Sequence, residues 1–174
     1  YLKSIRHTHL AQRVALRAKR WRQRWLKRGI TTRRRSERCC IRRHFGSAIR
    51  KTVQNFVALQ STVEMALDGS ANSEFASGRF ISGPGGAPDF AFGASIATGG
   101  RSIIAMPSTA AKGTVSRIVG RLGEGAPTTL SSYLADVVVT EFGAVELRGK
   151  TLSERAELLT SIAHPEHRES LSVP

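Results

Sequence analysis

TGGRSIIAMPSTA (residues 98–110) decides how this chain is read. Its centre, residues 102–106, is a nearly continuous apolar run that Pro107 stops. Such a short run without polar alternation fits a strand covered on both faces of a parallel sheet. ADVVVT (residues 135–140) is a second run of the same kind.

Upstream, NFVAL (55–59) and TVEMAL (62–67) are short and rich in β-branched or apolar residues, so both read as strands. Asp68-Gly69 behind them is a turn signal. SRIVGRL (116–122) is a weaker strand candidate. In TLSERAELLTSIAHP (151–165), Thr151 and Glu154 stand at capping-box spacing. Leu152, Ala156, Leu159, Ile162 and Ala163 form a helical apolar stripe, and Pro165 limits the helix. A shorter helix is expected to start after Pro88 and to carry Phe90, Ala94 and Ile96. Buried strands with intervening helices predict an α/β domain built on an open, mostly parallel sheet.

In such sheets ligands bind beyond the carboxyl ends of the strands. Glu141 directly follows ADVVVT, and Ser108-Thr109 follows the central run. ISGPGGAPDF (81–90) has three glycines in four positions and precedes the shorter helix. Free N–H groups in a glycine-rich turn near a helix N-terminus suit an anion or a developing oxyanion. The loop matches neither the G-x-G-x-x-G nor the Walker spacing, so on this pattern alone a purely structural turn stays open.

The charge is divided. The chain has 174 residues and a formal net charge of +14. Residues 1–51 hold 18 of the 27 Lys+Arg and a single acid, Glu37, for a net +17, while residues 52–174 carry −3. Two kinds of sequence therefore meet near Lys51. The first segment reads as irregular or helical, with Leu10, Val14, Leu16, Trp21 and Trp25 on part of one helical surface. It can be a nucleic-acid arm, with arginines on phosphates and Trp21 or Trp25 on bases. It can equally be an organellar presequence, a disordered tail, or the product of a wrong reading frame. Adjacent Cys39 and Cys40, with His44 nearby, make neither a disulfide framework nor a zinc pattern, so no metal is expected. They fit free thiols in a reducing cytoplasm. No apolar run approaches the length of a membrane-spanning helix.

Three runs carry a resemblance: residues 82–110, SRIVGRL, and DVVVTEFGAVELRGKTLSERAELLTSIAHPEHRESL (136–171). Together they resemble the C-terminal domain of the acetyl-CoA hydrolase/transferase family, which includes butyrate-, 4-hydroxybutyrate- and succinyl-CoA:acetate CoA-transferases. The likeness starts near Asn55, where residues 55–74 resemble the strand and turn before the glycine loop. The resemblance implies a CoA-transferase-type domain over residues 52–174, incomplete at its start, with residues 1–51 outside it.

It also implies a chemistry. A glutamate attacks an acyl-CoA thioester, and main-chain N–H groups hold the carbonyl oxygen as it becomes negative. The acceptor is a small carboxylate in transferases and water in hydrolases. The coenzyme A thioester is substrate, and no permanently bound cofactor is implied. By position, Gly86 resembles the oxyanion donor, with Gly83 and Gly85 shaping the loop, and Glu141 resembles a glutamate that orients the nucleophile. Gly99 and Gly100 are expected to line the same region. Arg148 and Lys150 are expected either to contact CoA phosphates or to form a solvated or structural pair. Gln60 stands where the family commonly has Asn. The family's nucleophilic glutamate would fall before residue 1, and Glu37 in RRRSERCC resembles nothing in the family. The chain alone is therefore expected to turn over little, and a homo-oligomer is compatible with the full-length enzyme. The alternatives are a nucleic-acid-binding protein acting through residues 1–51 and a non-functional gene fragment.

Overall fold

A computed structural model describes residues 54–171. The readings of Trp21, Trp25, Glu37, Cys39, Cys40 and His44 lie outside that range.

The main sheet has four strands in the order β1, β6, β10, β11. They are β1 (Val57–Gln60), β6 (Arg101–Ala105), β10 (Val137–Thr140) and β11 (Gly143–Glu146). The first three are parallel, with Leu59 opposite Ile103 and Ile103 opposite Val137. The last is antiparallel to β10, pairing Thr140 with Gly143 across a turn made by Glu141 and Phe142. The runs expected as parallel neighbours, 102–106 and 135–140, are β6 and β10.

TVEMAL and SRIVGRL belong to a separate three-stranded sheet. There β2 (Glu64–Ala66) pairs antiparallel with β3 (Ala71–Asn72) and parallel with β9 (Ile118–Val119). The Asp68-Gly69 turn joins β2 to β3: Asp68 Oδ1 accepts from both the N–H and the hydroxyl of Ser70, and Gly69 takes a positive φ of 91°. Two small hairpins complete the strands, β4 (Phe75–Ala76) with β5 (Arg79–Phe80), and β7 (Thr109–Ala110) with β8 (Val115–Ser116).

Two helices cover the core, α1 (Ala87–Ile96) and α2 (Leu152–Ser161). The capping box of α2 is formed: Thr151 Oγ1 accepts from the Glu154 N–H at 3.3 Å, and Glu154 Oε2 accepts from the Thr151 N–H at 2.8 Å. The core joins Ile104, Met106 and Val138 to Ala91 of α1, to Leu159, Ile162 and Ala163 at the end of α2, and to Met65 and Ile118 of the smaller sheet.

Two sequence expectations about packing are corrected, the two-sided cover of the run at 102–106 and the place of Leu152 in the apolar stripe. On β6, Ser102 and Ile104 are buried while Arg101, Ile103 and Ala105 are only half-buried, so the strand is not covered equally on both faces. Val57 and Leu59 of β1 are exposed outright, because nothing among the described residues layers over that face of the edge strand. Helix α1 buries Ala91, Gly93 and Ala94, whereas Phe90 is 50% exposed and Ile96 is half-buried. Small residues let the helix backbone approach β1 and β6 closely, and that turns the large side chains outward. Leu152, assigned to the apolar stripe, is the first residue of α2 and is 67% exposed.

Candidate active site

Strands β6 and β10 run side by side and in the same direction, so the residues just past their carboxyl ends meet. Ser108 follows the first and Glu141 the second. The Ser108 hydroxyl donates to Glu141 Oε1 at 2.6 Å, and the Ser108 N–H donates to Glu141 Oε2 at 2.8 Å. Each carboxylate oxygen is therefore held by its own donor. Ser108 is completely buried; Glu141 is exposed as a residue, but its carboxyl end is turned against Ser108. Burial pushes the Glu141 carboxyl up, yet the balance lies below the usual glutamate range. The Ser108 hydroxyl, the main-chain N–H groups of Glu141 and Ser108, and nearby His164 together outweigh the desolvation.

A basic and aromatic cluster flanks this carboxylate. The Phe142 ring stands edge-on to His164 at 5.3 Å, His164 lies 5.8 Å from His167, and the Arg168 guanidinium sits 5.9 Å from the Phe142 ring centre. Thr140 ties β10 to the end of α2 by donating to the Ile162 carbonyl at 2.6 Å. Sequence reasoning reached Glu141 but assigned no role to Ser108, His164 or Phe142. Sequence reasoning placed Ser108 past the end of its strand, but only adjacency of the two strands could have paired it with Glu141, 33 residues away along the chain.

The glycine loop is exposed from Ile81 to Gly86 and ends as the N-cap of α1. Gly85 adopts a φ of 59°, a left-handed conformation that glycine takes without a Cβ penalty. A Cβ on Gly86 would lie 3.1 Å from the Phe90 ring, while one on Gly83 would meet nothing within 4 Å. The first N–H groups of a helix have no partner within it, so this end of α1 presents main-chain donors to its surroundings. Pro88, in the first turn, contributes none.

Gly99, Gly100, Arg148 and Lys150 fall elsewhere. Gly99 and Gly100 enter β6 from its amino end, so the strand itself separates them from Ser108 and Glu141. Gly99 and Gly100 thus lie at the opposite end of β6 from Ser108 and Glu141. Their reason for being glycine is close packing: a Cβ on Gly100 would come within 2.1 Å of the Ala94 carbonyl oxygen, and one on Gly99 within 2.3 Å of Asn55 Oδ1. Arg148 is at the same end. It donates to both carboxylate oxygens of buried Asp136, at 2.8 and 2.6 Å, and to the Gly100 carbonyl at 3.1 Å. Asp136 in turn accepts from the Ser102 N–H at 2.8 Å. Lys150 pairs with Glu154 at 3.3 Å on the surface. Gln60, last in β1, donates to Ser102 Oγ at 3.5 Å. Among the described residues, no group of three or more His, Cys, Asp or Glu is arranged to hold a metal, and no helix is long and apolar enough to cross a membrane.

The acetyl-CoA hydrolase/transferase C-terminal domain model matches residues 34–173. The chain belongs to this family. The match to the family's C-terminal domain reaches back to residue 34, inside the arginine-rich segment. The 4-hydroxybutyrate coenzyme A transferase of Clostridium kluyveri is 50% identical over 117 residues, which is 67% of this chain and 27% of that protein. The butyryl-CoA:acetate CoA-transferase of Anaerostipes caccae is 35% identical over 123 residues, 69% of this chain and 28% of its own. Among solved structures, RipA from Yersinia pestis superimposes with a TM-score of 0.58 at 44% identity, covering 68% of this chain and 25% of RipA. The 4-hydroxybutyrate CoA-transferase of Porphyromonas gingivalis gives 0.51 at 44% identity, covering 66% and 24%. The α/β fold with a mostly parallel sheet is thus that of CoA-transferase domains. The chain spans about a quarter of the length of the family members it matches.

Proposed function

We propose that this chain is the C-terminal part of an acyl-CoA:carboxylate CoA-transferase or acetyl-CoA hydrolase. In this reading it supplies the oxyanion loop around Gly86 and the supporting carboxylate of Glu141. The nucleophilic glutamate is contributed from another part of the enzyme. The observation that carries the reading is the fixed carboxylate of Glu141 at the carboxyl ends of two parallel strands, the end at which α/β sheets bind their ligands. The names of the relatives favour transfer to a carboxylate over transfer to water.

The division of labour follows from charge. As the nucleophilic carboxylate forms a C–O bond to the thioester carbon, the carbonyl oxygen gains negative charge, and the CoA thiolate then leaves. A preorganised main-chain N–H at Gly86 stabilises the oxygen at that moment, and Gly83 and Gly85 give the backbone room to present it. Glu141 receives no bond in this sequence; it orients the nucleophile and the incoming groups. The hydrogen bonding of Arg148 and the packing of Gly99 and Gly100 support a structural role for the amino end of the sheet rather than contacts to CoA phosphates.

The test is reconstitution of the chain with the upstream part of a family enzyme, followed by assay of CoA transfer from an acyl-CoA to acetate and to water. Glu141→Ala is expected to abolish exchange and Gly86→Val to slow it severely. Full activity of Gly86→Val would remove the oxyanion assignment. Turnover by the 174-residue chain alone would remove the missing-nucleophile reading.

The basic segment favours a second reading, nucleic-acid binding. It rests on residues 1–51, part of which the family match already takes up. Salt-sensitive RNA or DNA binding that disappears on deleting those residues would support it.

A further inference from the structure

We propose that Ser108 is a positioning residue for the thioester exchange, fixing the orientation of the Glu141 carboxylate through a two-point grip from β6 to β10; this rests on the role given to Glu141 above. A glutamate at the tip of a two-residue turn has three freely rotating side-chain bonds. One hydrogen bond would leave the carboxyl group free to swing about the bonded oxygen. Two donors on one residue, the hydroxyl at 2.6 Å to Oε1 and the N–H at 2.8 Å to Oε2, fix both oxygens and hence the carboxylate plane. The donor residue is itself held on more than one side. Ser108 is fully buried, and its carbonyl accepts from the Arg117 N–H at 2.8 Å, which anchors it from the far side.

The same geometry keeps the carboxylate charged. Both contacts are charge-assisted only while the carboxylate is deprotonated, and the charged form is favoured despite its partial burial. His164, just past the end of α2, is the titratable neighbour acting on Glu141, with His167 and Arg168 behind it in the same cluster. A protonated Glu141 would keep the Ser108 hydroxyl contact only with its direction reversed, the acid donating to the hydroxyl oxygen, and both contacts would lose their charge assistance. The seryl grip therefore couples the strength with which this side chain is held to its charge. Small displacements of an orienting group are costly in catalysis.

Two measurements test the proposal separately from the functional reading. In the 174-residue chain, the Glu141 carboxyl is titrated by carbon NMR in the wild type, Ser108→Ala and Ser108→Cys, with the thermal transition of each variant recorded as the check on folding. The midpoint is expected below the ordinary glutamate value of 4.5 in the wild type and higher in Ser108→Ala, with Ser108→Cys between them. An unchanged midpoint in a folded Ser108→Ala chain overturns the grip. In the reconstituted enzyme, Ser108→Ala is expected to lower kcat about 10- to 100-fold with little change in KM. In a Glu141→Gln background the same substitution should have almost no further effect. Equal losses in both backgrounds would mean that Ser108 acts independently of Glu141, and the positioning role would fail. If Glu141→Ala leaves exchange intact while the NMR midpoint still moves with Ser108, the contact stands and the functional reading is what fails.

Discussion

Arg148 grips Asp136 with two nearly parallel hydrogen bonds, Nε to Oδ1 at 2.8 Å and Nη2 to Oδ2 at 2.6 Å, and caps the Gly100 carbonyl with the same Nη2. Asp136 is 4% exposed, so the pair closes the amino end of the sheet over a carboxylate that water barely reaches. Removing the guanidinium leaves that carboxylate with a single main-chain donor, the Ser102 N–H. Arg148→Ala is expected to cost about 2 kcal/mol in chemical denaturation, the scale of a hydrogen-bonded charge partly open to solvent. Unchanged stability combined with weakened CoA binding would instead return Arg148 to the substrate site.

The glycines separate by what surrounds them. Gly100→Ala forces a methyl group against the Ala94 carbonyl and should destabilise the fold by about 1–3 kcal/mol, as overpacking does. Gly83→Ala meets open space and should stay within about 0.5 kcal/mol of the wild type. Thermal melts of the two variants side by side decide this. A loss of exchange activity in Gly83→Ala without a loss of stability would identify the loop as functional rather than structural.

Helix α2 depends on its first turn. Thr151 and Glu154 satisfy each other's main-chain N–H groups, and Thr151→Ala removes one half of that exchange. The expected cost is about 1 kcal/mol, read as a lower denaturation midpoint. Because Leu159, Ile162 and Ala163 at the end of the helix belong to the core, the loss should appear in the global transition and not as local fraying.

The Ser108–Glu141 contact predicts a pH signature. The Glu141 carboxyl lies below its ordinary value of 4.5 in the folded chain. A depressed acid contributes stability that is complete above the unfolded value and is lost as pH falls through the folded one. The stability difference between wild type and Ser108→Ala should therefore be larger at pH 7 than at pH 3, by urea titration at each pH. A difference that stays constant or grows in acid would mean the charged form is not what Ser108 holds.

What the residues determined by themselves was local. Val138 and Val139, Ile103 and Ile104 make strands because β-branched runs pack on a pleated surface. Thr151 and Glu154 start a helix because their side chains reach N–H groups within one turn. Asp68-Gly69 turns because aspartate bonds two residues ahead and glycine accepts a positive φ. The family resemblance over residues 55–171 needed only the order of these segments. Tertiary structure decided which distant groups meet. Ser108 and Glu141 pair because β6 and β10 are parallel neighbours, a relationship that no spacing along the chain encodes. Strand direction also sends Gly99, Gly100 and Arg148 to the opposite end of the sheet. Phe90 lies outside the core because α1 lays its small residues, Ala91, Gly93 and Ala94, against β1 and β6. Hydrophobicity says that a side chain gains from burial, but only the packed neighbours determine which side chains find room.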